Sequence, residues 1–530
     1  MRWFFLILAC VAAFGQHHAP PPEKPVVLLP GLGSWHHRIA TQSPQAQKFF
    51  DQGLALLYGF NRYEALRSFT KAAELDPAAP MPWWGIAMAQ GPHINMDSDG
   101  DVDLKKSCDA VAAALRMPTR QENERAWIEA LATRCPEDRP RAYSAAMGRL
   151  AAHYPDDLDV LTFYAESLML PARWHWYDAA GRPAAGVAEA EHVMEAVLRR
   201  YPDHPGANHF YIHAVESSGT PERAIPSAQR LMGLVPAAGH LVHMPAHIWL
   251  VLGDYETAAA VNERAAALDR QYMQASGVTG SAYFGYYVHN LHFVAMARSM
   301  QGRMRQAIQA ADQIAAAVMP LAPSMLEMAD IFSTTPILMR VRFQRWDEVL
   351  AAPLPDAPLV SAIAIAHYAR AIALQAKGRH ADAAREQSAF ETARVKAPAS
   401  ALWINNKTAD VLAIAAEVLA ARMAESAAGA VPHWQRAVAL QDALVYDEPP
   451  GWYYPVRESL GAALVRAGRP AEAESVFREG LRRSPRNGRI LFGLLECLKA
   501  QQNKQASEWV AQELATAWAR ADVPLRIEDL

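Results

Sequence analysis

Two pairs of histidines in this chain sit one repeat apart. His209 and His213 are four positions apart, as are His243 and His247, and each member of the second pair follows its counterpart by 34 residues. A spacing of four places two side chains on one face of an α-helix, one turn apart. A period of 34 is the length of a two-helix hairpin that stacks on copies of itself. The chain is thereby constrained to build the same hairpin twice, with imidazoles in equivalent places on neighbouring helices.

The period extends well beyond the histidines. From Ala46 to Pro77, Gly53, Ala65, Phe69, Ala72 and Pro77 occupy the small, aromatic and helix-ending places of such a hairpin, and Tyr454 to Pro485 repeats the pattern most fully. Units restart near Pro80, Glu124, Leu158, Pro205, Gly239, Val288, Asp330 and Ala364, with a looser helix pair between about 402 and 446. Small residues let two helices approach closely, and proline closes the second helix. Over about residues 46 to 500 this resembles the tetratricopeptide repeat (TPR) family. The resemblance implies an all-α fold, a right-handed α-solenoid of helix-turn-helix repeats. The segments NHxxxHxxE (Asn208 to Glu216) and HMPxHI (His243 to Ile248) are similar to those of exported bacterial TPR proteins.

The expected division is a signal peptide over 1–15, an extended lead-in over 16–45, N-terminal units over 46–157, central units over 158–320 and C-terminal units over 321–530. Arg2 followed by an apolar run to Phe14 reads as an export signal, which points to a periplasmic or extracellular protein; a lipid anchor at Cys10 is the lesser alternative. Beyond that run no stretch is apolar enough to span a membrane. The 51 basic and 55 acidic residues are interspersed, unlike the clustered basic surface that nucleic acid requires. Cys108 and Cys135 are either a disulfide or two separate buried thiols, and no CxxC motif is present.

Three stretches interrupt the period. The acidic loop within 91–120 contains Asn95-x-Asp97-x-Asp99-Gly100-Asp101, the start of a calcium loop, but Lys106 stands where the bidentate glutamate belongs, so a solvated loop is expected. The segments 171–186 and 271–288 bracket the histidine units and are rich in Trp and Tyr, as caps over a site would be.

The family resemblance implies that the first helix of each unit lines a concave groove through its positions 2, 5, 9 and 12. His209, His213 and Glu216 then fall at 5, 9 and 12 of one unit, His240, His243 and His247 at 2, 5 and 9 of the next, and His289 and His292 at 2 and 5 after the insertion. Two HxxxH pairs on helices about 8–10 Å apart can converge on one ion. Imidazole-rich sites suit a divalent transition metal, with copper or zinc favoured here and iron possible in principle. HExxH, GxSxG, Walker and dinucleotide motifs are all absent.

The expectation is a metalloenzyme, hydrolytic or oxidative, acting on a small molecule or peptide in the groove. Glu166 and His175 are its candidate base and acid, and Trp174, Trp176, Tyr283, Tyr286 and Tyr287 its pocket walls. The alternatives are a scaffold that binds a peptide or protein partner without catalysis, and a metal storage or delivery protein.

Overall fold

The computed structural model describes residues 24–96, 102–118, 121–178, 180–278 and 282–530. The expected signal peptide and residues 97–101 of the acidic loop lie outside them. Helices pack in consecutive pairs along the chain, as in Pro44–Tyr58 with Arg62–Leu75, Val360–Ala376 with His380–Arg394, and Arg457–Arg466 with Pro470–Arg483. Among the described residues the one sheet is a two-stranded hairpin, Leu402–Trp403 with Asn406–Lys407. The protein is an all-α helical-repeat solenoid.

Local chemistry fixes where these helices begin and how closely they pair. The side chains of Asn61, Asp157 and Asp254 accept backbone N–H bonds at their helix starts. A Cβ at Gly53 or Gly85 would lie 2.6 or 2.4 Å from the Phe69 ring, so that ring closes over two glycines on adjacent helices. Phe477 does the same over Gly461 and Gly493, where an added Cβ would lie 2.4 and 2.2 Å away. The small and aromatic places in the sequence are therefore the contact points between successive hairpins. Cys108 and Cys135 form a disulfide, with Cα atoms 5.6 Å apart.

Several features depart from the sequence expectation. HLVHMPAH is two short helices, Gly239–His243 and Pro245–Val251, because Pro245 has no N–H to continue the ladder. The insertion around 271–288 lengthens two helices, Tyr255–Ser276 to 22 residues and Ala282–Met300 to 19. The lead-in packs against the repeats: Trp35 Nε1 donates to Asp159 at 2.9 Å and His37 Nδ1 meets the same carboxylate at 2.7 Å.

The helices that follow the histidine units touch both the first and the last repeats. On one side Tyr272 donates to Glu64 at 3.2 Å; on the other the Tyr255 hydroxyl donates to the Pro485 carbonyl at 2.9 Å and Met304 N to Asp522 at 2.7 Å. The long helix Tyr255–Ser276 thus touches both the first and the last repeats.

Candidate metal centre

Six histidines and two glutamates meet where these parts converge. Pro205–Glu216 carries His209, His213 and Glu216; Gly239–His243 carries His240 and His243; Pro245–Val251 carries His247; Ala282–Met300 carries His289. Glu448 arrives from the connection before the helix Arg457–Arg466. All are buried except His289, which is partly covered. They form two three-histidine faces, His209–His213–His240 and His243–His247–His289. Glu216 links the faces: one carboxylate oxygen accepts from His213 Nδ1 at 2.8 Å and the other from His247 Nδ1. Glu448 reaches the same His247 nitrogen at 2.5 Å.

The tautomers follow from fixed acceptors. His209 Nδ1 lies 2.6 Å from the Tyr58 carbonyl, which only accepts, so Nδ1 holds the proton. His243 Nδ1 faces Asn262 Oδ1 at 2.6 Å, and Asn262 Nδ2 donates to the Ala258 carbonyl at 2.7 Å, which fixes the amide's orientation. The Nε2 lone pairs of neutral His209 and His243 therefore point inward. His240 Nε2 sits 3.2 Å from His209 Nε2, and His247 Nε2 sits 2.6 Å from His243 Nε2. As the rings stand, a proton on His240 Nε2 and one on His247 Nε2 bridge these contacts, and a metal ion would take the place of those protons. His213 Nε2 is buried without a hydrogen-bond partner among the described residues. Two imidazoles on one tetrahedral ion place their nitrogens roughly 3.3 Å apart, close to the His209–His240 spacing.

Electrostatics favours the ligand form. Burial and then neighbouring imidazoles hold His209, His240 and His243 well below the ordinary histidine range. Burial pushes His213 and His289 down to about 3. These rings are neutral at neutral pH, as ligation requires. Burial also opposes charge on His247, but the Glu448 and Glu216 carboxylates outweigh it and raise that ring to about 10. Burial, then Glu216, raises the Glu448 carboxyl. The donor set is compatible with a metal site: acceptors fix the Nδ1 atoms of His209, His213, His243 and His247, and every ring but His247 is neutral.

Beside His247 and Glu448 opens a cavity of about 230 Å³, walled mainly by Leu250, Phe293, Met296, Tyr446 and Trp452. Phe60, at φ +52°, turns its ring to within 4.5 Å of His209 and 5.2 Å of His240.

The remaining sequence candidates fall in different places. Trp174 and Trp176 lie with ring centroids 6.4 and 6.0 Å from His213, and Tyr286 lies 4.4 Å from His240. Tyr283 donates to Asp269 at 2.7 Å, while Tyr287 packs on Phe284 at 6.2 Å. His292 sits outside both three-histidine faces, its ring 5.5 Å from Phe332. Glu166 is buried near Arg134, Arg62 and Arg173, and His175 is exposed with Nδ1 on the Arg173 carbonyl. Sequence reasoning missed Glu448, Asn262, Phe60 and the Tyr58 carbonyl. The one available signal was the non-periodic run Tyr446 to Pro455, rich in acids, prolines and aromatics.

Fold and site together define a helical-repeat protein with a buried polyhistidine centre. No family model matches the chain, and no curated protein matches it. Among solved structures it is similar to TPR-repeat proteins at low identity. The human IFIT1 dimer with m7Gppp-AAAA is 12% identical over 91% of this chain and 92% of that one, at TM-score 0.32. Yeast Tom70 is 11% identical over 91% and 93%, at TM-score 0.29. The Cut9 and Hcn1 hetero-tetramer of APC/C gives 12% over 91% and 76%, at TM-score 0.30. At such scores these likenesses carry nothing about what this chain binds or does. No described helix is long and apolar enough to cross a membrane.

Proposed function

We propose that this is an exported metalloenzyme whose two three-histidine faces each hold one divalent transition-metal ion. The observation that carries the reading is the convergence of two largely buried three-histidine groups, His209–His213–His240 and His243–His247–His289, each with its ligand atoms within 4.8 Å of one another. Export is supported by the Cys108–Cys135 disulfide, which persists in oxidising compartments. Zinc would supply Lewis acidity for hydrolysis, and copper or iron would add redox chemistry.

The chain's own groups divide the remaining work. Tyr58, Asn262, Glu216 and Glu448 hold Nδ1 protons and so aim the Nε2 atoms. Glu448 lines the cavity, and its raised carboxyl can take up a proton from a bound small molecule. Phe293, Met296 and Trp452 keep that end of the cavity apolar and exclude water.

The test is elemental analysis of protein purified without a histidine tag. The expected content approaches about two ions per chain, falling to about one in His243→Ala/His247→Ala. Metal-free native protein, or a variant that keeps the full content, overturns the proposal.

A further inference from the structure

The cavity beside the histidine centre has apolar walls, and nearly all of its polar groups are already engaged. Its charged lining residues are His247, Glu448, Asp447, Asp442, Arg457 and Arg483. Arg457 meets Asp442 through both terminal nitrogens, at 2.7 and 2.6 Å, and the exposed Arg483 meets Glu479 at 2.8 Å. Asp447 accepts from Asn406 Nδ2 at 2.6 Å and from the Asn405 N–H at 3.2 Å. The His247 ring is held by Glu216 and Glu448. No buried cation of the lining is therefore left for an anionic guest.

The neutral groups are engaged as well. Gln441 donates to the Tyr454 carbonyl and accepts from the Val456 N–H, both at 2.9 Å, and the Tyr255 hydroxyl donates to the Pro485 carbonyl. Glu448 differs. One of its oxygens takes His247 and, at 3.3 Å, the Tyr446 hydroxyl. A carboxylate offers about four acceptor sites, so Glu448 can accept from one donor more.

Size and wall set the rest of the guest. An apolar cavity of about 150 Å³ holds one benzene ring, so one of about 230 Å³ has room for a ring and about three further heavy atoms. Phe293, Met296, Met300 and Trp452 wall it and are buried, while Pro450 and Arg483 are exposed and mark its mouth. Taking an ion out of water between such walls costs far more than taking a hydroxyl that finds an acceptor.

We propose that this cavity binds a neutral, ring-sized hydroxyl compound, its hydroxyl donating to Glu448 and its ring against Phe293, Met296 and Trp452. That class of compound is the substrate of the histidine centre; this last step rests on the metalloenzyme reading, whereas the binding does not.

The probe is 4-ethylphenol, which is neutral at about pH 7. It is titrated calorimetrically into the intact protein as purified and again after a chelator has removed metal. One molecule per chain is expected. The methyl ether 4-ethylanisole lacks the donor and should bind about tenfold more weakly, as for one hydrogen bond to a carboxylate. The ions 4-ethylbenzoate and 2-phenylethylamine should bind at least about tenfold more weakly. Leu250→Trp, which fills the cavity from a half-buried wall position, should weaken 4-ethylphenol at least about tenfold. Glu448→Gln should bring 4-ethylphenol and its ether within about threefold of each other. The order of the probes on the native protein decides the question even where a variant fails to fold by circular dichroism. No binding of 4-ethylphenol, equal affinity for its ether or for either ion, or an unchanged response in folded Leu250→Trp or Glu448→Gln would each overturn the proposal. Protein that holds its metal but binds no 4-ethylphenol sinks this inference alone; metal-free native protein that binds it sinks the metalloenzyme reading and leaves the binding site standing.

Discussion

The Glu448 carboxylate stands 2.5 Å from His247 Nδ1, although the two residues belong to different halves of the solenoid. The C-terminal repeats therefore complete the histidine centre, and both halves must dock for the site to exist. A carboxylate behind a ligand imidazole fixes the ring and strengthens its donor nitrogen.

Glu448→Gln keeps the size and a hydrogen-bonding oxygen but removes the charge. Metal affinity, measured by competition with a chelator, should fall roughly 10- to 100-fold. The far-ultraviolet circular dichroism should stay native, since the helices on either side are held by their own packing. Unchanged affinity would remove Glu448 from the centre.

His292→Leu should leave metal content unchanged. The ring rests 5.5 Å from Phe332, and burial alone lowers its pKa to about 4, so it behaves as a packed neutral side chain. Thermal stability should shift by no more than about 1–2 kcal/mol equivalent, because leucine fills much of the same volume. Loss of an ion in this variant would restore His292 to the ligand set.

The anchored lead-in should make stability fall in alkali. Burial opposes charge on His37, but the hydrogen bond and charge of Asp159, with Asp157 and Asp51, raise it from 6.5 to about 9. The folded protein then holds a proton that the unfolded chain has released between those values. The contribution, on the order of 3 kcal/mol, is fully present below pH 6.5 and lost as pH rises through about 9. Urea unfolding at pH 6 and pH 9.5 should show the loss in the native protein and a smaller one in His37→Gln.

Reducing Cys108–Cys135 opens a loop whose ends are 27 residues apart. Loop entropy alone predicts a loss of about 3.5 kcal/mol. Denaturant midpoints of the native protein and Cys108→Ser/Cys135→Ser, compared at equal metal loading, should differ accordingly. A shift under about 1 kcal/mol would mean that the reduced chain stays nearly as ordered.

Much of the architecture was legible because it is local. Gly53, Phe69 and Gly85 recur as Gly461, Phe477 and Gly493, and each trio makes the same ring-over-glycine contact. The HxxxH spacing likewise placed His209 with His213, whose rings lie 4.9 Å apart, since a single helix sets that distance. Periodicity misled where it met an exception. It carried one helix through Pro245, which breaks it, and placed His292 in register with His289 although the lengthened helix turns it toward Phe332.

The sequence by itself determined the helical hairpins, their stacking period and the identity of most of the imidazoles, all set by contacts within a few turns or between adjacent units. The tertiary structure alone decided that one long central helix touches both the first and the last repeats, that Glu448 and Asn262 fix the rings, and that His175 is exposed. Those outcomes depend on how the first and last repeats close on the central helices. That closure sums small rotations over many repeats, and no short spacing in the chain encodes it.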